Sequence, residues 1–225
     1  MRTSPSRRRL LALVIVVVLV LGVGMVWRQR QDVVRWWERA TLPATVDYQP
    51  RTSGDVPRLP EAESVAAQLP ADMNLAIPFT VQAPHANWDL PYKEFCEEAS
   101  VLMTMSYINN TPITSRDSAE AELLQIKAFE DERFGYYEDT TAEETAIIIR
   151  EHYQYDQVAL IENPTVAHIK EALAAGRAVI VPVAGQQLGN PYFQQPGPLY
   201  HMLVIKGYTA DGHFITNDPG TRRGA

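Results

Sequence analysis

The hydrophobic pattern of this chain changes its rhythm several times. From Leu10 to Trp27, 18 residues run without a charge, mostly Val and Leu. At 1.5 Å rise per residue such a helix spans about 27 Å, close to the hydrocarbon thickness of a bilayer. The run passes straight into Trp27 and Arg28, an interfacial pair, with no A-x-A-like site after it. This pattern predicts a retained transmembrane anchor over a cleaved signal peptide. "VVRWWERA" extends it as a short juxtamembrane helix. Pro43, Pro50, Pro57, Pro60 and Pro70 then punctuate a stretch poor in bulky apolar residues, with a helical turn or two in "EAESVAAQL". That composition predicts a stiff tether. The organisation expected is a basic segment (1–9), an anchor (10–27), a juxtamembrane segment and Pro-rich linker (28–73) and a globular domain (74–225).

Within the domain, "LAIPF" reads as a short strand and "QAPHANWDLPY" as a loop. A helix is predicted from Glu94 or Cys96 to about Ile108. Its apolar residues (Ala99, Val101, Leu102, Met103, Met105, Tyr107, Ile108) surround the axis, the mark of a buried helix. Three further helices have readable ends. "DSAEAELLQIKAFEDERFG" has Asp117 and Glu120 in capping-box spacing, and "TAEETAIIIREHY" repeats the device with Thr141 and Glu144. "NPTVAHIKEALAAG" sets Val166, Ile169 and Leu173 on one face and stops at Gly176. Strands follow in "AVIVPV", "YHMLVIKGY" and "HFITNDPG", the last two joined by a "TADG" hairpin turn. Helices first and antiparallel strands afterwards predict an α+β domain, a central buried helix packed on a C-terminal sheet.

Charge is divided unevenly. Residues 1–39 carry eight Arg against Asp32 and Glu38, a net +6, which leaves 12 basic and 25 acidic residues and −13 for the rest. So acidic a body repels polyphosphate, which excludes nucleic acid as a partner. The cluster Arg7–Arg9 favours a cytoplasmic N-terminus and hence an exported domain. With one cysteine there is no disulfide framework and no Cys-cluster metal site, and no phosphate loop or calcium loop of the usual spacing is present. No cofactor is expected. Oligomeric state leaves no signal in the pattern.

The single cysteine, Cys96 in "EFCEEAS", heads the buried helix. A helix N-terminus offers free N–H groups and a positive dipole end, which favour a thiolate. Glu97 and Glu98 suit the first turn and are expected to point away from the sulfur into water. The thiol is accordingly expected to be more acidic than a free cysteine. A thiol nucleophile needs a base. His152 and His168 lie on helix surfaces, His85 in a loop and His213 in a turn. His201 alone opens an apolar strand. In a hairpin centred on "TADG", His201 and Asp218 both lie distal to the turn, within reach of one another. Asn217 remains an alternative orienting residue, and facing the opposite way from Asp218 it excludes joint service.

"IPFTVQAPHANWD…FCEEAS…HMLVIKGY…NDPG" resembles the papain-like cysteine peptidases related to the bacteriocin-processing, double-glycine leader peptidases, in their stand-alone branch. The resemblance covers residues 75–225. It implies a papain-like fold, with Cys96 as nucleophile, His201 as general base, Asp218 as the orienting residue and Gln82 as side-chain donor to the oxyanion hole beside the Cys96 N–H. The commoner motif has Gly-Pro after the cysteine where this chain has Glu97-Glu98, and more of the domain is expected beyond "TRRGA".

The reading is a membrane-anchored cysteine peptidase acting on a peptide or protein substrate. Its rivals are a non-catalytic papain-like binding module on a tether and a thiol acyltransferase. "GQQLGNPYFQQPGPLY", just before His201, is either a substrate-contacting loop or a plain surface connection. Trp88 lines the cleft or belongs to the core.

Overall fold

The helix that the pattern buries on all sides, α1 (Cys96–Ile108), is the axis of the domain. In the computed structural model, which describes residues 41–50 and 69–221 and isolated positions between Val14 and Ala40, every residue from Cys96 to Tyr107 is buried. Its all-round apolarity has a simple cause, because α1 is packed from two sides. Phe95, Ala99, Val101, Leu102 and Met105 meet the helices through Leu123, Ile126, Ile148 and Ile149. Met103 and Tyr107 meet the sheet and its neighbours through Leu75, Leu173, Leu203, Ile205 and Tyr208.

Helix α2 (Arg116–Arg133) presents Ala119, Leu123, Ile126 and Glu130 inward, a single helical stripe. Its cap is Ser115, paired with Ser118, and not Asp117 as predicted. The stretch "TSRDS" holds several side chains able to cap, and the Ser115 hydroxyl takes the Ser118 N–H first. Helix α3 (Ala142–Ile147) has the expected Thr141–Glu144 capping box and widens into a π-helical turn over Ile148–His152. Helix α4 (Val166–Ala174) is capped by Thr165 and closed at Gly176, whose N–H donates to the Leu173 carbonyl. Leu173 is fully buried, but Val166, expected beside it, is exposed at the first helical position.

The strands are β1 (Met73–Asn74), β2 (Val179–Ala184), β3 (Tyr200–Tyr208) and β4 (Phe214–Asn217). All pair antiparallel to β3, with Val183 opposite His201 and Val204 opposite Asn217. The β3–β4 turn is the predicted one, closed by Thr209 N–H to the His213 carbonyl at 2.9 Å. A bulge lies between Ile205 and Gly207. At Gly207 a Cβ would stand 2.1 Å from the Met73 carbonyl oxygen, so only glycine lets β1 approach. "LAIPF" is not a full strand. Beyond Leu75 the chain leaves the ladder, and Asn217 Nδ2 holds it by donating to the carbonyls of Ile77 and Pro78, both at 3.1 Å. Helices and an antiparallel sheet make the domain α+β.

The chain divides into two units, Met1–Leu42 and Pro43–Ala225. Residues 43–50, expected as free linker, belong to the second. Val46 N–H donates to the Asn74 carbonyl at 2.8 Å, and Tyr48 lies edge-on to Tyr107 at 5.4 Å between ring centres. Residues 51–68, most of the apolar run 10–27, the basic segment 1–9 and residues 222–225 lie outside the described residues. Among those described, no helix is long and apolar enough to cross a membrane.

Candidate active site

Two segments converge on the head of α1. A 3-10 turn over Tyr92–Glu94 feeds into Phe95, and Cys96 is the first helical residue, with no side chain capping the helix. Gln82 fastens this turn. Its Nε2 donates to the carbonyls of Tyr92 at 3.1 Å and Lys93 at 2.7 Å, while its own N–H donates to the Pro219 carbonyl at 3.0 Å. Both amide hydrogens of Gln82 are therefore committed to main-chain carbonyls. The expected oxyanion donor stands here as a brace between the turn before Cys96 and the loop after Asp218.

From the sheet side, β3 carries His201 and the end of β4 delivers Asp218. His201 Nε2 and Asp218 Oδ1 are 2.8 Å apart, both residues buried. Asp218 is itself fixed: Oδ1 also accepts from the Gly220 N–H at 2.9 Å, and Oδ2 accepts from Asn190 Nδ2 at 2.8 Å. With Asp218 ionised, Nε2 carries the ring hydrogen and Nδ1 keeps its lone pair as a base. The alternative orienting residue, Asn217, is turned to Ile77 and Pro78 instead. Phe193 sets its ring edge-on to the imidazole at 5.1 Å. Asn190 and Phe193 both come from the polar loop before His201, so that loop touches the His–Asp pair directly. A Cβ at Gly220 would fall 2.9 Å from the Phe193 ring and 3.1 Å from His201 Cε1, a close approach that requires glycine.

Around the sulfur the structure departs from expectation. Glu97 and Glu98 do not point into water; both are 0% exposed. Cys96 Sγ donates to Glu97 Oε2 at 2.9 Å, and no hydrogen bond joins the thiol to the His201 ring among the described residues. Burial, then the Glu97 charge and its hydrogen bond, push the thiol well above its ordinary value. A main-chain hydrogen bond from Met202 is the one contact favouring the thiolate. The expectation of an acidic thiol is therefore corrected for this resting state, because desolvation and a neighbouring carboxylate outweigh the helix dipole.

The carboxylate cluster extends inward. Burial lifts Glu97 to about 7 and Glu130, on α2, to about 8. Glu98 is raised well above the ordinary carboxylate value by burial and by the neighbouring Glu130 and Glu97, and the two buried carboxyls of Glu98 and Glu130 lie close enough to share a proton. Thr140 Oγ1 donates to Glu130 at 3.4 Å, and the Tyr200 hydroxyl donates to the Thr140 carbonyl at 2.6 Å. This polar chain runs from β3 to the sulfur's neighbours. The signal for Glu130 was present in the sequence: it falls on the stripe Ala119, Leu123, Ile126.

Trp88 is half-buried and lines a cavity of about 310 Å³ with Phe79, Val81, Pro84 and Ile113. A larger cavity of about 430 Å³ lies between α3, α4 and β2, with Met202 in its wall.

Residues 74–225 match the Peptidase_C39 like family. The chain belongs to that family. The α+β domain is consistent with the papain-like fold of such peptidases, and membership suggests cysteine peptidase activity. Neither the curated proteins nor the solved structures compared with this chain contain a significant match.

Proposed function

We propose that this chain is a cysteine peptidase that hydrolyses peptide or amide bonds, with Cys96 as nucleophile, His201 as base and Asp218 as the carboxylate that orients the base. The observation that carries the reading is the buried His201–Asp218 pair at 2.8 Å on strands packed against the helix that Cys96 heads. In the reaction His201 Nδ1 takes the thiol proton and the sulfur attacks the substrate carbonyl carbon. The Cys96 N–H meets the oxyanion, joined by Gln82 once its amide turns from Tyr92 and Lys93. The carbon–nitrogen bond then breaks, His201 returns the proton to the leaving amine, and water hydrolyses the thioester. Asp218 holds the tautomer and stabilises the imidazolium throughout.

One observation favours a second reading, a binding module of the same fold. The resting thiol is neutral and bonded to Glu97, not to histidine. Incubation of the domain with a mixed peptide library separates the two. Cleavage products that vanish in Cys96→Ser support the peptidase, and intact peptides with wild type leave the binding module. The same proposal includes a membrane tether, which rests on the uncharged run from Leu10 to Trp27.

A further inference from the structure

Glu97 is an unusual neighbour for a nucleophile. It lies next to Cys96 in sequence, its side chain is fully buried, and Oε2 accepts the thiol hydrogen at 2.9 Å while Oε1 has no side-chain partner among the described residues. Surface acids in a first turn serve the helix dipole from solvent. This one faces the reacting atom.

We propose that Glu97 is a catalytic residue that gates the nucleophile: as a carboxylate it holds the thiol proton and keeps sulfur out of an ion pair with His201, and as a neutral acid it releases that proton and donates a hydrogen bond to the sulfur. The inference rests on the peptidase reading. Its logic is charge counting. Moving the thiol proton to His201 Nδ1 while Glu97 is ionised sets a thiolate against a carboxylate in a water-excluded site, two like charges in contact. If Glu97 first takes a proton from solvent, the same transfer leaves one thiolate, one imidazolium and a neutral acid. The acid O–H then points at sulfur beside the Met202 main-chain donor. No proton is unaccounted for: the thiol proton sits on His201, later leaves with the amine, and the solvent proton stays on Glu97.

The groups facing Glu97 keep this switch near neutrality. Cys96 and Glu98 adjoin it on α1, Glu94 comes from the preceding turn, Glu130 from α2, Asp139 from the loop before α3, and Tyr200 from β3. No cation is among them, so burial and repulsion hold the carboxyl at about 7.

Glu97→Gln tests the gate, since an amide of the same shape donates to sulfur at every pH. The rate of alkylation by iodoacetamide is measured from pH 5.5 to 9 in wild type, Glu97→Gln and His201→Ala, with melting curves for each. The expected wild-type rate falls as pH rises through about 7. At pH 8 the Gln variant reacts about tenfold or more faster than wild type, one unit of displaced titration. A Gln variant no faster than wild type at pH 8 overturns the gate. Should that variant not fold, the wild-type profile decides: a fall through neutrality supports the gate, and a steady rise overturns it. The peptidase reading fails separately, on a His201→Ala protein that alkylates like wild type at pH 5.5.

Discussion

Replacing Glu130 by Gln should make the protein more stable at pH 8 and no different at pH 5. The side chain is fully buried, and burial raises its carboxyl from 4.5 to about 8, with Glu97 and Asp131 adding repulsion and hydrogen bonds from Glu98 and Thr140 opposing it. A raised carboxyl binds its proton more tightly in the folded state, so the folded protein holds more protons than the unfolded chain between those two values. Stability from this group is complete below about 4.5 and is lost as pH climbs to about 8. The shift corresponds to about 5 kcal/mol at most, and sharing the proton with Glu98 reduces the part that belongs to Glu130, to about 2–3 kcal/mol. Acids with lowered values, Glu144, Glu151 and Asp211, act below the ordinary carboxylate range and do not enter this window. For a chain of this size the gain at pH 8 is a rise of about 5–10 °C in Tm. Thermal melts of wild type and Glu130→Gln at pH 5, 6.5 and 8 read it directly. A wild type equally stable at pH 5 and 8, or a variant that melts lower at pH 8, refutes the buried-acid argument.

Other outcomes follow from the same geometry. Asp218→Asn should retain the fold and lower kcat on the order of a thousandfold or more, because the imidazole loses its charged anchor; a small loss means Asp218 does not orient the base. Gly220→Ala should lower Tm by a few degrees and cost about a hundredfold in kcat/KM, since its Cβ crowds the Phe193 and His201 rings. Tyr48→Ala should destabilise the domain by about 1–2 kcal/mol in urea melts through loss of the Tyr107 edge contact, and a neutral effect returns residues 43–50 to the linker. The full chain should partition with membranes through alkaline carbonate extraction; release into the supernatant removes the anchor from the proposal.

What could be read in advance divides by range. The buried helix was readable because its apolar residues surround the axis, and the His201–Asp218 meeting was readable because a short turn fixes which strand residues lie opposite. Asn190 and Phe193 were visible only as part of a polar loop, since nothing local says which loop residues fold back. The fate of Glu97 and Glu98 was unreadable for a firmer reason. First-turn acids have an ordinary surface explanation, and their burial depends on Glu130 and Thr140, more than thirty residues on. "LAIPF" keeps main-chain pairing only at Leu75 and Ala76, and the Ile77 and Pro78 carbonyls go to the Asn217 side chain, a contact no periodicity records.

The central claim is that Cys96 is a nucleophile activated by His201. Intact-mass spectrometry after exposure to a peptide acyloxymethyl ketone, an electrophile that reacts with peptidase thiols and spares ordinary ones, tests it most directly. One adduct is expected on wild type, mapped to Cys96, with little or none on His201→Ala or Cys96→Ser. Equal labelling of wild type and His201→Ala, or no labelling of a folded wild-type domain at any pH between 5.5 and 9, contradicts it.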